Sequence, residues 1–273
     1  MKPILFTISM IMFGLALRST KKKWLRKLGI FLYMAASGMV AYYLTESVII
    51  GITVGLIWLV FPLIELIFVV RNVEIPIANK LREEKLRCSE YFPESQLLHE
   101  YYENNGFSPT TQCGWDFGKS YEHYSYLWNA DKRCLVAICH RVEPCTTFTY
   151  VKIISTKDQK KLWITTNFPF SKTLFFNSDV SYNHVTCSQK SCPQNLLQSH
   201  ELMLQNDGIQ EKNLEIIESD EVIEFVENTM FTQVDYNLKK KILTKTSDTH
   251  YTYSIKGILY LWAQILKDFF RLC

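Results

Sequence analysis

The amino-acid sequence predicts an α+β protein: N-terminal transmembrane helices, then an antiparallel β-meander of about five strands covered by flanking helices. Three observations predict it. Long apolar runs crowd the first 71 residues. From about residue 112 aromatic and β-branched residues alternate with polar ones. From residue 193 the apolar spacing returns to helical. The chain divides accordingly into a membrane anchor (1–71), a connector (72–92) and a soluble α+β domain (93–273).

About 20 apolar residues are needed for a helix to cross the roughly 30 Å hydrocarbon core. Residues 48–70 meet this with one charge, Glu65, and residues 28–45 meet it near the lower limit with none. Only Glu46-Ser47 separates them, so the two spans form an antiparallel hairpin. Pro62 reads as a kink or an end. Glu65 sits near the inner interface, within reach of headgroup water. The 3–17 run is short and stays open between a thin span, an interfacial helix and a signal-peptide core. Lys2 suits the last reading, and the lack of a small-x-small site before Arg18 opposes it.

Charge orients these spans. The stretch RSTKKKWLRK holds Arg18, Lys21, Lys22, Lys23, Arg26 and Lys27, with Trp24 as an interface aromatic. Lys and Arg next to spans stay on the cytoplasmic side. Arg71, Lys80, Arg82, Lys85 and Arg87 place a second basic cluster on that same side. The expected location is therefore the cell inner membrane, multi-pass, with the C-terminal domain cytoplasmic and the lipid bilayer as first partner. Residues 1–87 hold 12 Lys/Arg against 5 Asp/Glu, whereas residues 88–273 hold 18 against 22. A mildly acidic domain argues against nucleic acid as a partner.

In the domain, Pro93 and Gly106 bracket a short amphipathic helix. CGWDFG (113–118) reads as a turn into the first strand, with Trp115 buried and Asp116 on the turn amides. SYEHYSYLWN, CLVAICHRV, TTFTYVKIIST, KLWITTNF and the weaker SYNHVTC then read as five strands with one covered face. NFPFS (167–171) reads as a strand end with an edge proline, or as a greasy contact. Helices follow at PQNLLQSHELMLQNDG and DEVIEFVENTMFTQVDYNLKKKIL, the second acidic first and basic last, as the helix dipole prefers. The terminal IKGILYLWAQILKDFFRLC carries Trp262 and Phe269 on a broad apolar face. It is either core packed on the sheet or an interfacial helix lying on the membrane.

The chain carries little recognisable chemistry. Of its eight cysteines, none forms a C-x-x-C pair, and the cytoplasmic assignment favours free thiols over a disulfide framework. No metal and no cofactor are expected. The nearest approach to a ligand set is His184, Cys187 and Cys192. Cys139 and His140 are the candidate nucleophile and base, but as strand neighbours they face opposite sides. Asp116 is a third catalytic candidate. There is no G-x-S-x-G, H-E-x-x-H or phosphate-cradling loop.

GWDFG, the AICH strand, NFPFS and the GILYLWAQILKDFFRL terminus together make the chain resemble uncharacterised bacterial membrane-anchored proteins with N-terminal spans and a cytosolic domain. That resemblance implies the architecture and no activity. The function expected is a non-catalytic interaction or ligand-binding module at the inner membrane face, with a protein partner or a hydrophobic ligand. The alternative is a membrane-associated enzyme using a Cys/His site.

Overall fold

The computed structural model describes residues 2–20, 23–78, 80–87, 89–117, 120–143, 146–158, 160–186 and 192–272. Three apolar helices open the chain: α1 (Lys2–Arg18), α2 (Lys23–Thr45) and α3 (Val48–Phe68). The α2–α3 turn is the two-residue one. Glu46 adopts φ 54° and returns its N–H to Tyr42 (2.7 Å), and the Ser47 hydroxyl accepts from Ile50 N–H at the start of α3 (3.5 Å). Two helices, over Lys27–Thr45 and from Val48 to Asn72, are long and apolar enough to cross a membrane. Pro62 lies inside α3, which continues to Phe68. The two helices touch through glycines. A Cβ on Gly38 would stand 2.6 Å from the Gly51 carbonyl, and one on Gly51 would stand 2.9 Å from the Gly38 carbonyl. Gly55 packs the same way on Met34.

The connector supplies two short edge strands, β1 (Ile75–Pro76) and β2 (Arg82–Glu83), before α4 (Glu94–Asn104). Pro93 is the N-cap residue of α4, and Gly106 follows it at φ 81°. The main sheet then forms from β3 (Ser108–Phe117), β4 (Ser120–Asn129), β5 (Cys134–Glu143), β6 (Thr146–Lys157), β7 (Lys161–Thr166) and β8 (Val180–His184). Its strand order is β2-β3-β4-β5-β6-β7-β8, antiparallel except for the parallel β7–β8 pair. The five expected strands are β4 to β8, so the sheet is larger than the meander read from sequence. SYNHVTC runs parallel to its neighbour because residues 167–179 carry the chain back along the sheet. The stretch read as a turn, 113–117, is instead the second half of β3, in register with β4 from Cys113↔Tyr124 to Phe117↔Ser120.

Both faces of the sheet are covered, not one. Tyr124, Tyr126, Leu135, Ala137 and Cys139 face one core with Val222 and Val226 of α6 (Val222–Lys239). Leu127, Val136, Ile138, Val151 and Ile153 face a second core with Tyr102 of α4 and Leu196 of α5 (Cys192–Asn206). A strand buried on both sides reads as a nearly continuous apolar run, and CLVAIC is such a run.

A third core joins the domain to the hairpin. Strands β9 (Leu243–Lys245) and β10 (His250–Tyr253) pair with β1 in a small sheet, and α7 (Ile255–Leu272) follows. Ile258 and Leu261 of α7 pack there with Ile242, Tyr253 and Val234, and also with Leu66 of α3. One face of the terminal helix is therefore core, on the small sheet and the hairpin and not on the main sheet, while Ile255, Leu259, Ile265 and Phe269 stay exposed.

Candidate functional site

The Cys/His chemistry of the strands is buried on opposite faces, as the strand period requires. Cys139 is fully buried with its Sγ 3.6 Å from the Ala137 carbonyl. Burial pushes its thiol up to about 12, so at neutral pH it is neither thiolate nor nucleophile. His140 lies in the second core. Its Nε2 meets Ser95 Oγ of α4 (3.0 Å), its Nδ1 meets Thr149 Oγ1 of β6 (3.1 Å), and Phe92 packs on the ring at 4.7 Å. Desolvation first, then the neighbouring His123 and His99, push its pKa down to about 3. A serine–histidine contact of this kind resembles a catalytic pair, but no carboxylate holds the imidazole. A base this weak cannot take a serine proton near neutral pH.

His123 stacks on His140 at 6.0 Å, and the two residues are directly paired across β4 and β5. Its Nε2 meets the Glu84 carbonyl (3.1 Å), and its Nδ1 is without a partner among the described residues. Sequence reasoning passed over Ser95, His123 and Thr149. The His123–His140 pairing had a signal: both positions are equally far from the turn at 130–133.

The other candidates do not converge. Asp116 is exposed and pairs with Arg87 (3.2 Å). His184 Nε2 meets the Phe168 carbonyl (2.7 Å). Cys192 is disulfide-bonded, while Cys113, Cys134 and Cys139 are free thiols. The expected free-thiol pattern thus holds for three of the four described cysteines and fails at Cys192, whose partner, like Cys187, lies outside the described residues. Among the described residues no group of three or more His, Cys, Asp or Glu side chains could hold a metal ion.

The most specific polar contacts occur where α7 meets the hairpin. Trp262 Nε1 donates to the Leu59 carbonyl of α3 (2.8 Å). Six residues further along α7, the Asp268 carboxylate accepts from Ser171 N–H and Ser171 Oγ (both 2.6 Å). Ser171 belongs to the NFPFS segment. There Phe168 and Phe170 pack with Phe148 at 5.9 and 5.6 Å, so this segment is an aromatic buttress whose outer ring, Phe170, stays 40% exposed. Ser254 accepts from Gly257 N–H (3.0 Å) at the start of α7. The helix is thereby fastened to hairpin and domain together. Trp262 and Phe269, singled out from sequence as interface residues, both lie on the hairpin side. Lys27 is half-buried at the start of α2. The side chains of Arg18, Lys21, Lys22, Lys23, Trp24 and Arg26 lie outside the described residues.

Truncating Trp262 to alanine should destabilise the full chain by about 3 kcal/mol, the scale of losing a packed aromatic. Phenylalanine keeps most of the packing and loses the indole N–H bond, for about 1 kcal/mol. Denaturant unfolding in micelles distinguishes these cases, and equal stability of all three proteins would show that this seat contributes nothing.

A groove of about 390 Å³ opens elsewhere, between α6 and the β7–β8 edge. Leu162, Ile164 and Phe225 are among its lining residues, as are Asp179, Glu221 and Glu224. α6 reaches the first core through Val222 and Val226, with Met230 packed against it, and the third core through Val234. Between these anchors Asn228, Thr229 and Thr232 are too short to fill the space.

No protein-family model, no curated protein and no solved structure matches the chain.

Proposed function

We propose that this chain is a membrane-anchored, non-catalytic interaction or ligand-binding module, with α2 and α3 crossing the cell inner membrane and the domain on the cytoplasmic side. The observation that carries the reading is the double fastening of α7, through Trp262 to α3 and through Asp268 to the domain. It makes the domain one body with the hairpin, as a module working at a membrane surface requires. Two further observations support the anchor. The described side chains of α3 leave Ile49, Ile52, Trp58, Phe61 and Phe68 exposed, an apolar surface that water would disfavour and a bilayer would cover. The turn at 46–47 joins α2 and α3 at one end of the hairpin, so Lys27 and Arg71 both fall at the other end, where the domain begins. The enzyme alternative has less behind it, because Cys139 and His140 are sealed in separate cores.

A second reading of sidedness rests on Cys192. Disulfides persist in oxidising compartments, which favours a domain outside the cytoplasm. The test is a cysteine at exposed Asp248, between β9 and β10, labelled with a membrane-impermeant maleimide in intact bacterial cells. Asp248→Cys should label above the parent only after permeabilisation, and the protein should stay in the membrane pellet through alkaline carbonate. Labelling in intact cells would reverse the sidedness and favour the Cys192 reading. Release by carbonate would remove the anchor itself.

A further inference from the structure

At the helical end of the molecule is a second, half-open cavity, of about 420 Å³. Four helices build it: Ile11 comes from α1, Ile30, Met34 and Val40 from α2, Trp58 from α3, and Phe269 from α7. We propose that this cavity holds one acyl chain of a bilayer lipid, and that Phe269 makes α7 the part of the domain that touches it. The inference rests on the membrane-anchored reading above and adds to it the chemical class of the ligand.

The lining chemistry selects hydrocarbon. Trp58 and Ser37 supply an N–H and a hydroxyl to the wall, and both are spent within it. Trp58 Nε1 donates to Ser37 Oγ (3.2 Å), and Ser37 Oγ donates to the Met34 carbonyl (2.8 Å). Tyr33 contributes a further hydroxyl to the described lining. No charged side chain is among the described lining residues. The charge nearest in sequence to Phe269, the Asp268 carboxylate, is engaged by Ser171 on the domain. A polar headgroup or a hydrophilic metabolite would therefore lose its water without gaining partners. An apolar chain loses nothing. An engineered apolar cavity of about 150 Å³ stays dry and takes benzene, so this larger one has room for a longer hydrocarbon. Left empty, its walls would forgo the dispersion contacts that close packing supplies.

The location selects the source. In the proposed orientation the cavity lies among helices whose outer faces meet lipid, and Phe31, Val40 and Trp58 around it are themselves exposed. A bilayer acyl chain reaches such a cavity without crossing water. The consequence is a direct mechanical link. Trp262 and Phe269 belong to one helix, two turns apart, so whatever occupies the cavity bears on the same helix that Asp268 ties to the domain.

The test uses the full chain in phospholipid nanodiscs, with its methionines replaced by photo-methionine, a near-isosteric diazirine. Met34 lines the cavity and is only 8% exposed, whereas Met12 on α1 is 61% exposed. After irradiation, peptide mass spectrometry reads a lipid adduct at each position. Adducts at both Met12 and Met34 are expected. The Met34 adduct should drop at least tenfold in Ala36→Leu, which fills the cavity from α2, while the Met12 adduct persists. Ser37→Val is a second filling variant should Ala36→Leu fail to fold. A lipid adduct at Met12 with only protein crosslinks at Met34 would overturn the proposal and leave the membrane reading intact. Adducts at neither position would remove the membrane reading, and the proposal with it. A Met34 adduct unchanged in both filling variants would show that the lipid reaches Met34 by another route, and would overturn the cavity assignment.

Discussion

Replacing Gly38 with leucine is expected to separate α2 from α3 and to loosen the domain with them. The reason is backbone contact. A single Cβ at this position already falls 2.6 Å from the Gly51 carbonyl and 3.5 Å from the Gly55 Cα. The obstructing atoms are main chain, so no rotamer change relieves the clash and the helices must move apart. Small residues at such crossings are how helices associate where no water drives them together, because close approach is the main gain available. Overpacking of this sort costs about 3 kcal/mol, the upper end for inserted side-chain volume. The displacement does not stop at the hairpin. Leu59 on α3 receives the Trp262 N–H, and Leu66 packs with Ile258 and Leu261, so moving α3 disturbs the seat of α7. Spin labels on the two helices should report an increase of a few ångströms in their separation. Proteolysis of the 72–92 connector should accelerate. Ala35→Leu, on an exposed position of the same helix, should change neither. Unchanged spacing in Gly38→Leu would mean that these glycines do not set the crossing.

How much of this was legible follows from which forces are local. The hairpin was readable because length and apolarity alone decide it, and Glu46-Ser47 leaves room for one turn geometry. Its packing was also readable and was overlooked: Gly51-x-x-x-Gly55 puts two glycines on one face of α3, opposite Gly38. Strand β4 was readable from its alternation, and β5 to β7 from their strand-like apolar and β-branched runs between short turns. β3 was missed because the glycines of CGWDFG suggest a turn, whereas Gly114 lies in a regular strand with the Glu84 side chain packed across it. The coverage of both faces was visible in CLVAIC as an unbroken apolar run. The parallel direction of β8 was not visible, since it depends on how residues 167–179 return, and Phe168 and Phe170 reveal their anchoring role only in three dimensions. For α7 the apolar face was plain but its target was not. Amphipathicity says that a surface is covered, not what covers it. Both cavities were illegible for the same reason, because each is a gap left between elements distant in sequence.

Lowering the pH from 7 to 4.5 is expected to destabilise the domain by about 4 kcal/mol, through two histidines that face the same side of the main sheet. His200 of α5 is buried, with Nε2 on Ser155 Oγ and Nδ1 on Thr165 Oγ1, both at 3.0 Å. Burial pushes its pKa down to about 3, and His140 is pushed down to about 3 by burial together with His123 and His99. In the unfolded chain each returns to about 6.5. Between these values the unfolded state binds a proton that the folded state refuses, so stability falls as pH falls. The contribution is fully present above about 6.5 and disappears progressively down to about 3. At pH 4.5 the loss is about 2 kcal/mol for each histidine, against a total of about 5–15 kcal/mol for a typical domain. His123, whose pKa burial also lowers, adds to the loss in the same direction. Urea unfolding of the full chain at a series of pH values measures the slope. His200→Gln should remove about half of it, because glutamine can occupy the hydroxyl partners without titrating. Cys139, Cys134 and Cys113, whose thiols burial pushes up to about 12, stay protonated throughout this range and add nothing to the slope. A stability that stays flat from pH 7 to 4.5 would mean that these imidazoles accept protons without opening the core. An unaltered slope in the glutamine variant would assign the effect to other groups.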